Sequence, residues 1–284
     1  MTDCWNHDAR RVLRFRAGDK VADIDTNATP GFTGDNDDAP AIQDERNEHF
    51  AELQEMLYAN SRSDEGVRRA LLLVLQGMDT AGKGGIVKHV VGAGNPQGLR
   101  YTAFGVPTDE ERKHHYLWRI QKALPAFGNI GVFDRSHYED VLIVRVHNLV
   151  PPEVWGPRYD EINTFERELV DEGITLVKVA MFVSLEEQKQ RLMARLERPD
   201  KYWKYNPGDV DERKLWPKYQ EAYQAVLDRT STDYAPWYVV PCDRKWYSRL
   251  AVTELLIGAL EDLDLSWPQP DFDVKAEKKR LAQA

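Results

Sequence analysis

The sequence predicts an α/β fold in which a parallel sheet is covered by helices on both faces. Two apolar runs, ALLLVLQ at residues 70–76 and ITLVKVAMFV at residues 174–183, have the length of buried strands. Strand-like and helical segments alternate through most of the chain, which is the pattern of parallel sheets with helical crossovers. A glycine-rich loop, GMDTAGKGG at residues 77–85, follows the first run. This loop predicts a phosphate site at one edge of the sheet.

Composition and spacing predict the elements of the N-terminal part. Residues 16–41 are rich in Gly, Pro, Asp, Asn and Thr, so they are interpreted as an extended arm. The segment 45–59 carries apolar residues at helical spacing and predicts the first helix. After the glycine-rich loop, a helix is predicted to begin at residues 86–91, and a strand is predicted at 99–104.

Prolines delimit the elements of the second half. Pro125 ends a helix predicted at 109–124, and the pair Pro151–Pro152 separates two further helices. A short apolar strand at 130–133 leads directly to Asp134. The remaining predicted elements are helices at 138–146, 152–172, 185–196, 211–229 and 246–263 and strands at 174–183 and 237–240.

The composition excludes several classes of protein. The 284 residues are 42% hydrophobic and 30% charged, which suits a folded chain with a sizeable core. The net charge of −9 and pI of about 5.4 argue against a nucleic-acid binder, although basic residues that converge on one groove could still hold a polyanion. Two cysteines, Cys4 and Cys242, make no zinc or disulfide framework. The absence of a signal peptide or membrane-length apolar run predicts a cytoplasmic protein with no membrane partner.

The loop matches the pattern G-x-x-x-x-G-K at Gly77, Gly82 and Lys83. Backbone N–H groups of such a loop turn toward a phosphate, and the lysine adds a full charge. A structural glycine-rich turn is the alternative. The residues predicted to bind phosphate here are Gly77, Ala81, Gly82, Lys83, Gly84 and Gly85.

The loop lacks the hydroxyl residue that usually follows the lysine and ligates Mg²⁺, because this position is Gly84. Asp79 lies within the loop, where bound phosphates would repel a carboxylate unless a cation intervenes. Asp79 is therefore a candidate metal ligand. Its alternative role is that of a turn residue that bonds its own backbone.

A second motif, GNIGVFDRSHYED at residues 128–140, brings Asp134 to the end of a predicted strand. That end of a parallel sheet faces the ligand crevice, and phosphotransferases place a metal-binding aspartate there. Arg135 could contact a phosphoryl oxygen with two hydrogen bonds. The alternative is an Asp–Arg turn with a local ion pair.

A basic segment begins at Arg191 and continues beyond the end of the predicted helix. Cations gather here beside Tyr202, Trp203 and Tyr205. Two helices with a polar connection are typical of a lid that closes over phosphates, whereas a solvated surface helix is the alternative. The cations predicted to bind phosphate are Arg191, Arg195, Arg198, Lys201 and Lys204.

Four motifs together resemble the polyphosphate kinase 2 family, whose members use inorganic polyphosphate to phosphorylate nucleotides. They are GMDTAGKGG, FDRSHYED, RLMARLERPDKYWK and STDYAPWYVVPCDRKWYSR, in this order along the chain. The resemblance covers residues 29–268. It implies a three-layer P-loop kinase fold of the thymidylate-kinase type with a helical lid. The predicted organisation is an arm at 1–44, a kinase domain at 45–268 with its lid at about 191–215, and a tail at 269–284.

The resemblance also implies site roles and substrates. Asp79 and Asp134 match the positions associated with Mg²⁺, for which Mn²⁺ is the alternative. Lys83 and Arg135 match phosphate-contacting positions, and Arg195 best matches the lid arginine. The strings SHYEDVL, ATPGF and GVPT resemble the members that accept both AMP and ADP, with GMP and GDP as further acceptors. Relatives commonly form dimers or tetramers, so a homodimer or homotetramer is expected.

Two other functions stay open at this stage. An ATP-dependent nucleoside monophosphate kinase would share the fold but would normally carry the missing loop hydroxyl. A non-catalytic module that binds polyphosphate or nucleotide would not need two carboxylates at one phosphate site, since without a metal they weaken anion binding.

Overall fold

The computed structural model describes residues 4–63 and 67–284. Its strands are β1 (Ala70–Gly77), β2 (Leu99–Ala103), β3 (Ile130–Asp134), β4 (Ile174–Phe182) and β5 (Trp237–Pro241). Its helices are α1 (Ala9–Leu13), α2 (Ala39–Asn60), α3 (Lys83–His89), α4 (Trp118–Ala123), α5 (Ile143–Val146), α6 (Pro152–Trp155), α7 (Arg158–Asp171), α8 (Leu185–Leu196), α9 (Gly208–Lys214), α10 (Trp216–Thr230), α11 (Lys245–Glu261) and α12 (Val274–Leu281).

The strands form one parallel sheet in the order β2-β3-β1-β4-β5. Side chains of β1 alternate between two hydrophobic cores, because Leu71 and Leu73 face one cluster and Leu72 and Val74 the other. The first core contains α2 and α11, and the second contains α7 and α10. Both faces of β1, β3 and β4 are therefore buried, which explains the apolar runs of β1 and β4, whereas β2 at the edge is largely exposed. The predicted α/β three-layer fold is confirmed.

The N-terminal arm packs against both cores. Trp5 and Phe32 lie in the first core, and Phe15 and Val21 lie in the second. The arm contains α1, and the predicted boundary at residue 44 lies inside α2, which begins at Ala39. The C-terminal tail contains α12, whose residues are almost all exposed.

The predicted helix at 109–124 is wrong. The chain forms a single 3₁₀ turn at Glu111–Lys113 and then α4. Thr108 and Glu111 cap each other's backbone N–H, and His114 then takes an extended conformation. Reciprocal capping favours the start of a helix, but His114 leaves helical geometry, so the turn and α4 stay separate elements.

Three other predicted helices are each divided in two. The segment 138–146 consists of a 3₁₀ turn at His137–Asp140 followed by α5. The segment 152–172 forms α6 and α7, with Pro157 between them, and 211–229 forms α9 and α10 around Leu215. Proline lacks the N–H of an interior helical residue, which accounts for the break at Pro157 and for Pro217 in the first turn of α10. None of the helices described combines the length and apolar character needed to cross a bilayer.

Candidate active site

The glycine-rich loop connects β1 to α3 at the carboxyl edge of the sheet. Gly77 is required by packing, because a Cβ there would lie 2.8 Å from the Met181 carbonyl oxygen. Gly82 has φ of +115°, which residues with a side chain rarely adopt. A Cβ at Gly84 or Gly85 would meet no atom within 4 Å. The first turn of α3 therefore leaves open space beside the loop, where a ligand can approach the backbone.

Lys83 is almost fully buried and folds back onto the loop. Its Nζ donates to the Gly77 carbonyl oxygen at 2.6 Å and contacts that of Met78 at 3.4 Å. The lysine thus stabilises the conformation of the loop. The ammonium group has three protons, so its predicted contact with phosphate can use the one that these two carbonyls leave.

Arg135 and Asp79 form an ion pair across the cleft beside the loop. The distance from Arg135 Nη2 to Asp79 Oδ1 is 2.8 Å, and both side chains are about one third exposed. Arg135 has φ of +64°, and its N–H donates to the Leu75 carbonyl oxygen at 3.0 Å. Burial disfavours its charge, but the carboxylates of Glu139 and Asp79 raise the pKa of the guanidinium above its ordinary value. The structure thus brings two of the predicted site residues into contact.

Asp134 lies at the end of β3, as predicted, and is paired in the sheet with Leu75 of β1. Its Oδ2 accepts a hydrogen bond from Tyr101 Oη at 3.3 Å. Asp134 is not among the residues that line the cleft beside the glycine-rich loop. The structure therefore places Asp79 in the cleft and Asp134 on the neighbouring strand end toward β2.

The cleft has a volume of about 500 Å³ and lies between the loop, the turn after β3 and the lid. Of the predicted site residues, Gly77, Asp79, Arg135, Arg195 and Lys204 line it. Its other lining residues are Met78, Glu139, Leu142, Ile143, Gln188, Asn206, Gly208, Asp209, Glu212, Tyr219 and Tyr223. The cleft therefore combines cations, carboxylates and an apolar wall, which suits a charged ligand with an aromatic part.

Three carboxylates of this cleft, Glu139, Asp209 and Glu212, were not among the sequence predictions. Burial raises the pKa of Glu139 above its ordinary value despite the nearby Arg135 and Lys83. Burial and the charge of Asp79 likewise raise the pKa of Asp209. The available signals were the acidic strings SHYED and DVDE, which flank the predicted site and lid.

The lid consists of the end of α8, a 3₁₀ segment at Pro199–Lys204 and α9. Arg195 donates to the Lys204 carbonyl oxygen at 3.0 Å and lies 3.5 Å from Asp209. Arg198 and Lys201 instead pair with Asp200 on the outer surface, at 3.0 Å and 2.9 Å. Arg195 and Lys204 therefore line the cleft, whereas Arg198 and Lys201 do not.

Arg191 is buried and holds the glycine-rich loop against the end of β5. Its guanidinium donates to backbone carbonyls of Thr80, Ala81, Cys242 and Asp243 at 2.6–3.3 Å. It also pairs with Glu187 at 2.7 Å. These contacts give Arg191 a structural role in placing the loop, and its contact with phosphate stays a prediction.

Gln188 connects the lid to the loop. This buried side chain donates to the Asp79 carbonyl oxygen at 3.0 Å and accepts from Arg213 of α9 at 2.7 Å. These two hydrogen bonds connect α9 to the backbone of Asp79, the residue that pairs with Arg135. Sequence reasoning missed this residue, because a glutamine on a helix carries no local signal of such a role.

The donor set suits Mg²⁺ only if other ligands complete it. The described residues contain no group of three or more His, Cys, Asp or Glu side chains placed to hold a metal ion. Mg²⁺ sites in phosphotransferases use one or two carboxylates and complete the octahedron with phosphates and water. In the loop, Asp79 Oδ2 accepts no hydrogen bond from the described residues, whereas buried Thr80 Oγ1 has no partner among them. The available Asp79 oxygen fits a hydrated cation with its phosphates, and the buried Thr80 hydroxyl is an unsatisfied group next to it in the loop.

The sheet order, the glycine-rich loop after β1 and the basic lid define an α/β protein of the P-loop kinase class. The family profile described as Polyphosphate kinase 2 matches residues 40–267. The chain belongs to the polyphosphate kinase 2 family.

Individual relatives align with most of this chain. The "AMP/ADP-polyphosphate phosphotransferase" of Meiothermus ruber is 46% identical over 248 residues, which is 87% of this chain and 91% of that protein. The "ADP-polyphosphate phosphotransferase" of Rhodopseudomonas palustris is 39% identical over 248 residues, or 83% of each chain. The crystal structure of polyphosphate kinase 2 from Arthrobacter aurescens TC1 matches with a TM-score of 0.95 at 50% identity, covering 99% of this chain and 98% of that one.

Proposed function

We propose that this protein transfers phosphoryl groups from inorganic polyphosphate to AMP, ADP or both. A phosphate oxygen of the nucleotide attacks the terminal phosphorus of polyphosphate, the terminal P–O–P bond breaks, and the chain leaves shortened by one phosphate. AMP becomes ADP, and ADP becomes ATP. The observation that carries this proposal is the cleft that joins Arg135, Asp79 and Arg195 beside the glycine-rich loop. The names of the relatives supply the donor and the acceptors.

The cations of the site supply the electrostatic part of catalysis. Phosphoryl transfer asks little covalent chemistry of the protein, so positioning and charge stabilisation dominate. Arg135 and Arg195 lie on two sides of the cleft, and Lys83 lies in the loop. Each can hold phosphate oxygens on which negative charge develops. The apolar and aromatic wall, with Leu142, Ile143 and tyrosines, can exclude water from the transfer.

Mg²⁺ is proposed as the cofactor, with Mn²⁺ as its alternative. Asp79 would hold the ion in the cleft, and Asp134 would contribute from the end of β3. The bound ion would neutralise phosphate charge and orient the oxygens. All further steps belong to the protein's own residues, which bind the phosphates and exclude water.

An assay without ATP tests the function directly. Purified protein is mixed with polyphosphate, AMP and Mg²⁺, and the nucleotides are separated by chromatography. Production of ADP supports the proposal, and a parallel reaction with ADP measures its conversion to ATP. Activity that requires ATP as donor would instead identify a nucleoside monophosphate kinase. Binding of polyphosphate without turnover would identify a non-catalytic module.

Substitution of the two aspartates tests the metal assignment. Asp79→Asn and Asp134→Asn should each lower activity and raise the Mg²⁺ concentration needed for half-maximal rate, because an amide is a weaker ligand than a carboxylate. Asp211→Asn is the matched control, since its carboxylate is exposed on α9 and pairs with Lys214. Mg²⁺ titration curves that coincide with wild type in both site variants would refute the assignment.

Three finer properties remain proposals. GMP and GDP are proposed as further acceptors, and parallel assays with these nucleotides measure them. A homodimer or homotetramer is proposed from the family resemblance, and light scattering coupled to size-exclusion chromatography determines the mass. A cytoplasmic location stays a prediction from the sequence.

A further inference from the structure

A fully buried ion pair connects the sheet to the turn that follows Arg135. Lys178 of β4 and Glu166 of α7 have no exposed side-chain surface, and Lys178 Nζ lies 2.6 Å from Glu166 Oε2. The ammonium group also donates to Tyr138 Oη at 2.9 Å and to the Thr230 carbonyl oxygen at 2.7 Å. All three of its protons are therefore used within the protein.

The same carboxylate holds the two side chains that follow the site segment. Glu166 Oε1 accepts from Tyr138 Oη at 2.7 Å and from His137 Nε2 at 3.2 Å. Both side chains are fully buried, and the ring of Tyr138 packs edge-on against Trp237 with centroids 4.7 Å apart. Because His137 and Tyr138 lie two and three residues after Arg135, these bonds fix the path by which the chain leaves that residue.

The turn is also held by a contact with β1. Gln76 of β1 forms a hydrogen bond of 2.9 Å with Ser136 Oγ, which also accepts from the Tyr138 N–H at 3.2 Å. Just before these anchors, Arg135 keeps a φ of +64°, which costs free energy in a residue with a side chain. Such a conformation persists only where the surrounding structure over-determines it. The two sets of hydrogen bonds supply that restraint.

Stability alone does not explain a buried ion pair at this place. Removing two charges from water is costly, and apolar residues of similar volume often serve stability equally well or better. Hydrogen bonds differ from apolar contacts in that they fix direction as well as distance. Burial disfavours the charged form of Glu166, but Lys178 and His137 hold the pKa of Glu166 below its ordinary value. The carboxylate is therefore charged at neutral pH.

We infer that Glu166, Lys178 and Tyr138 form a positioning network that sets the orientation of Arg135 in the cleft. None of the three lines the cleft, so they act through the turn and not on the substrates. The inference rests on the proposed function, because the orientation of a guanidinium affects turnover only if the cleft transfers phosphoryl groups.

Tyr138→Phe tests the network while keeping the buried ring. It removes the hydroxyl that bridges Glu166 and Lys178. We expect kcat to fall about 3- to 10-fold, with the KM values for AMP and polyphosphate within twofold of wild type, as for a contact that matters in the transition state. Tyr247→Phe is the matched control, because Tyr247 is equally buried in the other core and donates one hydrogen bond of 2.7 Å to Pro30. Its kcat should equal that of wild type.

A double-mutant cycle distinguishes positioning from a general loss of structure. If Tyr138 acts through Arg135, Tyr138→Phe should have no further effect on kcat in an Arg135→Ala background. Equal fold-losses in the wild-type and Arg135→Ala backgrounds would overturn the inference. Should Tyr138→Phe not fold, the charge-neutral pair Glu166→Gln with Lys178→Met replaces it in the same cycle, with the same expectation.

The two proposals fail in different ways. A wild-type enzyme that transfers no phosphoryl group from polyphosphate would overturn the proposed function, and the positioning role with it. An active wild type whose kcat is unchanged by Tyr138→Phe would overturn the positioning role alone.

Discussion

At the scale of single residues, the charged groups of the site already have partners within the protein. Arg135 pairs with Asp79 at 2.8 Å, and Lys83 is surrounded by loop carbonyls. Each of these groups is one that a phosphate or a metal ion would recruit. On the proposed function, phosphate would take the guanidinium of Arg135 and a metal ion the carboxylate of Asp79, so one charge-assisted pair would be replaced by two.

Lys83→Ala should lower kcat by about 10²–10³-fold, the effect expected on losing one donor that stabilises developing charge. The residue also braces the loop, so the Tm of the variant should be measured together with its turnover. Lys88→Ala is the matched control, since Lys88 is an exposed lysine five residues further along α3. A kcat near wild type in Lys83→Ala would contradict the assigned role.

Glu139→Gln should raise the Tm, more so at alkaline pH than at acidic pH. Burial raises the pKa of Glu139 above its ordinary value of 4.5, so ionisation costs more in the folded than in the unfolded chain. The contribution of Glu139 to the free energy of unfolding therefore falls as pH rises from about 4.5 through the pKa of the folded state. The Glu139→Gln variant does not ionise, so it avoids this loss. Thermal melts at pH 5 and pH 8 measure the difference. Exposed Glu221→Gln should match wild type at both, and a Glu139→Gln Tm equal to wild type at pH 8 would exclude the effect.

At the scale of elements, the lid carries two different kinds of arginine. Arg191 is buried and tied to four backbone carbonyls, whereas Arg195 lines the cleft with a single carbonyl partner and a weak contact to Asp209. Helical spacing places the two on one face but does not separate their roles. Their difference arises from which loops approach that face, and this depends on the tertiary fold.

Arg195→Ala should reduce kcat as well as affinity, because a closing lid completes the site only in the bound state. The KM for polyphosphate should rise with KCl more steeply than the KM for AMP in wild type, since exposed charges are screened over about 8 Å at physiological ionic strength. Steady-state kinetics at two KCl concentrations measure both effects. Lys189→Ala, an exposed charge on the same helix, is the control. Kinetic constants equal to wild type at both concentrations would mean that Arg195 lies on a merely solvated helix.

The sequence pattern predicted the bounds of the strands closely and those of the helices less well. Continuous apolar runs define β1 and β4 to within one residue, because burial on both faces leaves few polar positions. Helix 109–124 was wrong because His114 takes an extended conformation between the 3₁₀ turn and α4, which apolar spacing does not reveal. In the site, the two motifs predicted Asp79 and Arg135, which both line the cleft, whereas Glu139 and Glu212 were missed because the acidic strings that contain them do not show that the folded chain brings them there.

At the scale of the whole molecule, the N-terminal arm is an integral part of the fold. Arg14 bridges to Tyr238 of β5, and the Phe15 N–H donates to the Trp237 carbonyl oxygen at 2.9 Å. Further along, Thr26 Oγ1 donates to Asp243 at 2.7 Å. The Asp243 carbonyl oxygen is also held by Arg191, so the arm reaches the environment of the glycine-rich loop.

Phe15→Ala should destabilise the protein by about 3–5 kcal/mol, the usual loss for a buried phenylalanine. Phe15 is only 6% exposed and lies in the second core. In a chain of this size the loss corresponds to a fall in Tm of roughly 6–20 °C. Phe272→Ala, at a side chain that is 57% exposed in the tail, is the control and should leave the Tm unchanged. Equal melting temperatures for the two variants would mean that the arm is only loosely attached.

The attachment of the arm also sets the order of events during synthesis on the ribosome. Pro30 accepts a hydrogen bond from Tyr247, 217 residues further along. At typical translation rates these partners are made roughly 10–45 s apart. Throughout that interval Trp5, Phe15 and Phe32 have emerged without the strand and helix that cover them. The nascent chain therefore carries exposed aromatic side chains until β5 and α11 are released, and a chain that stops before β5 presents the same surface to chaperones and proteases.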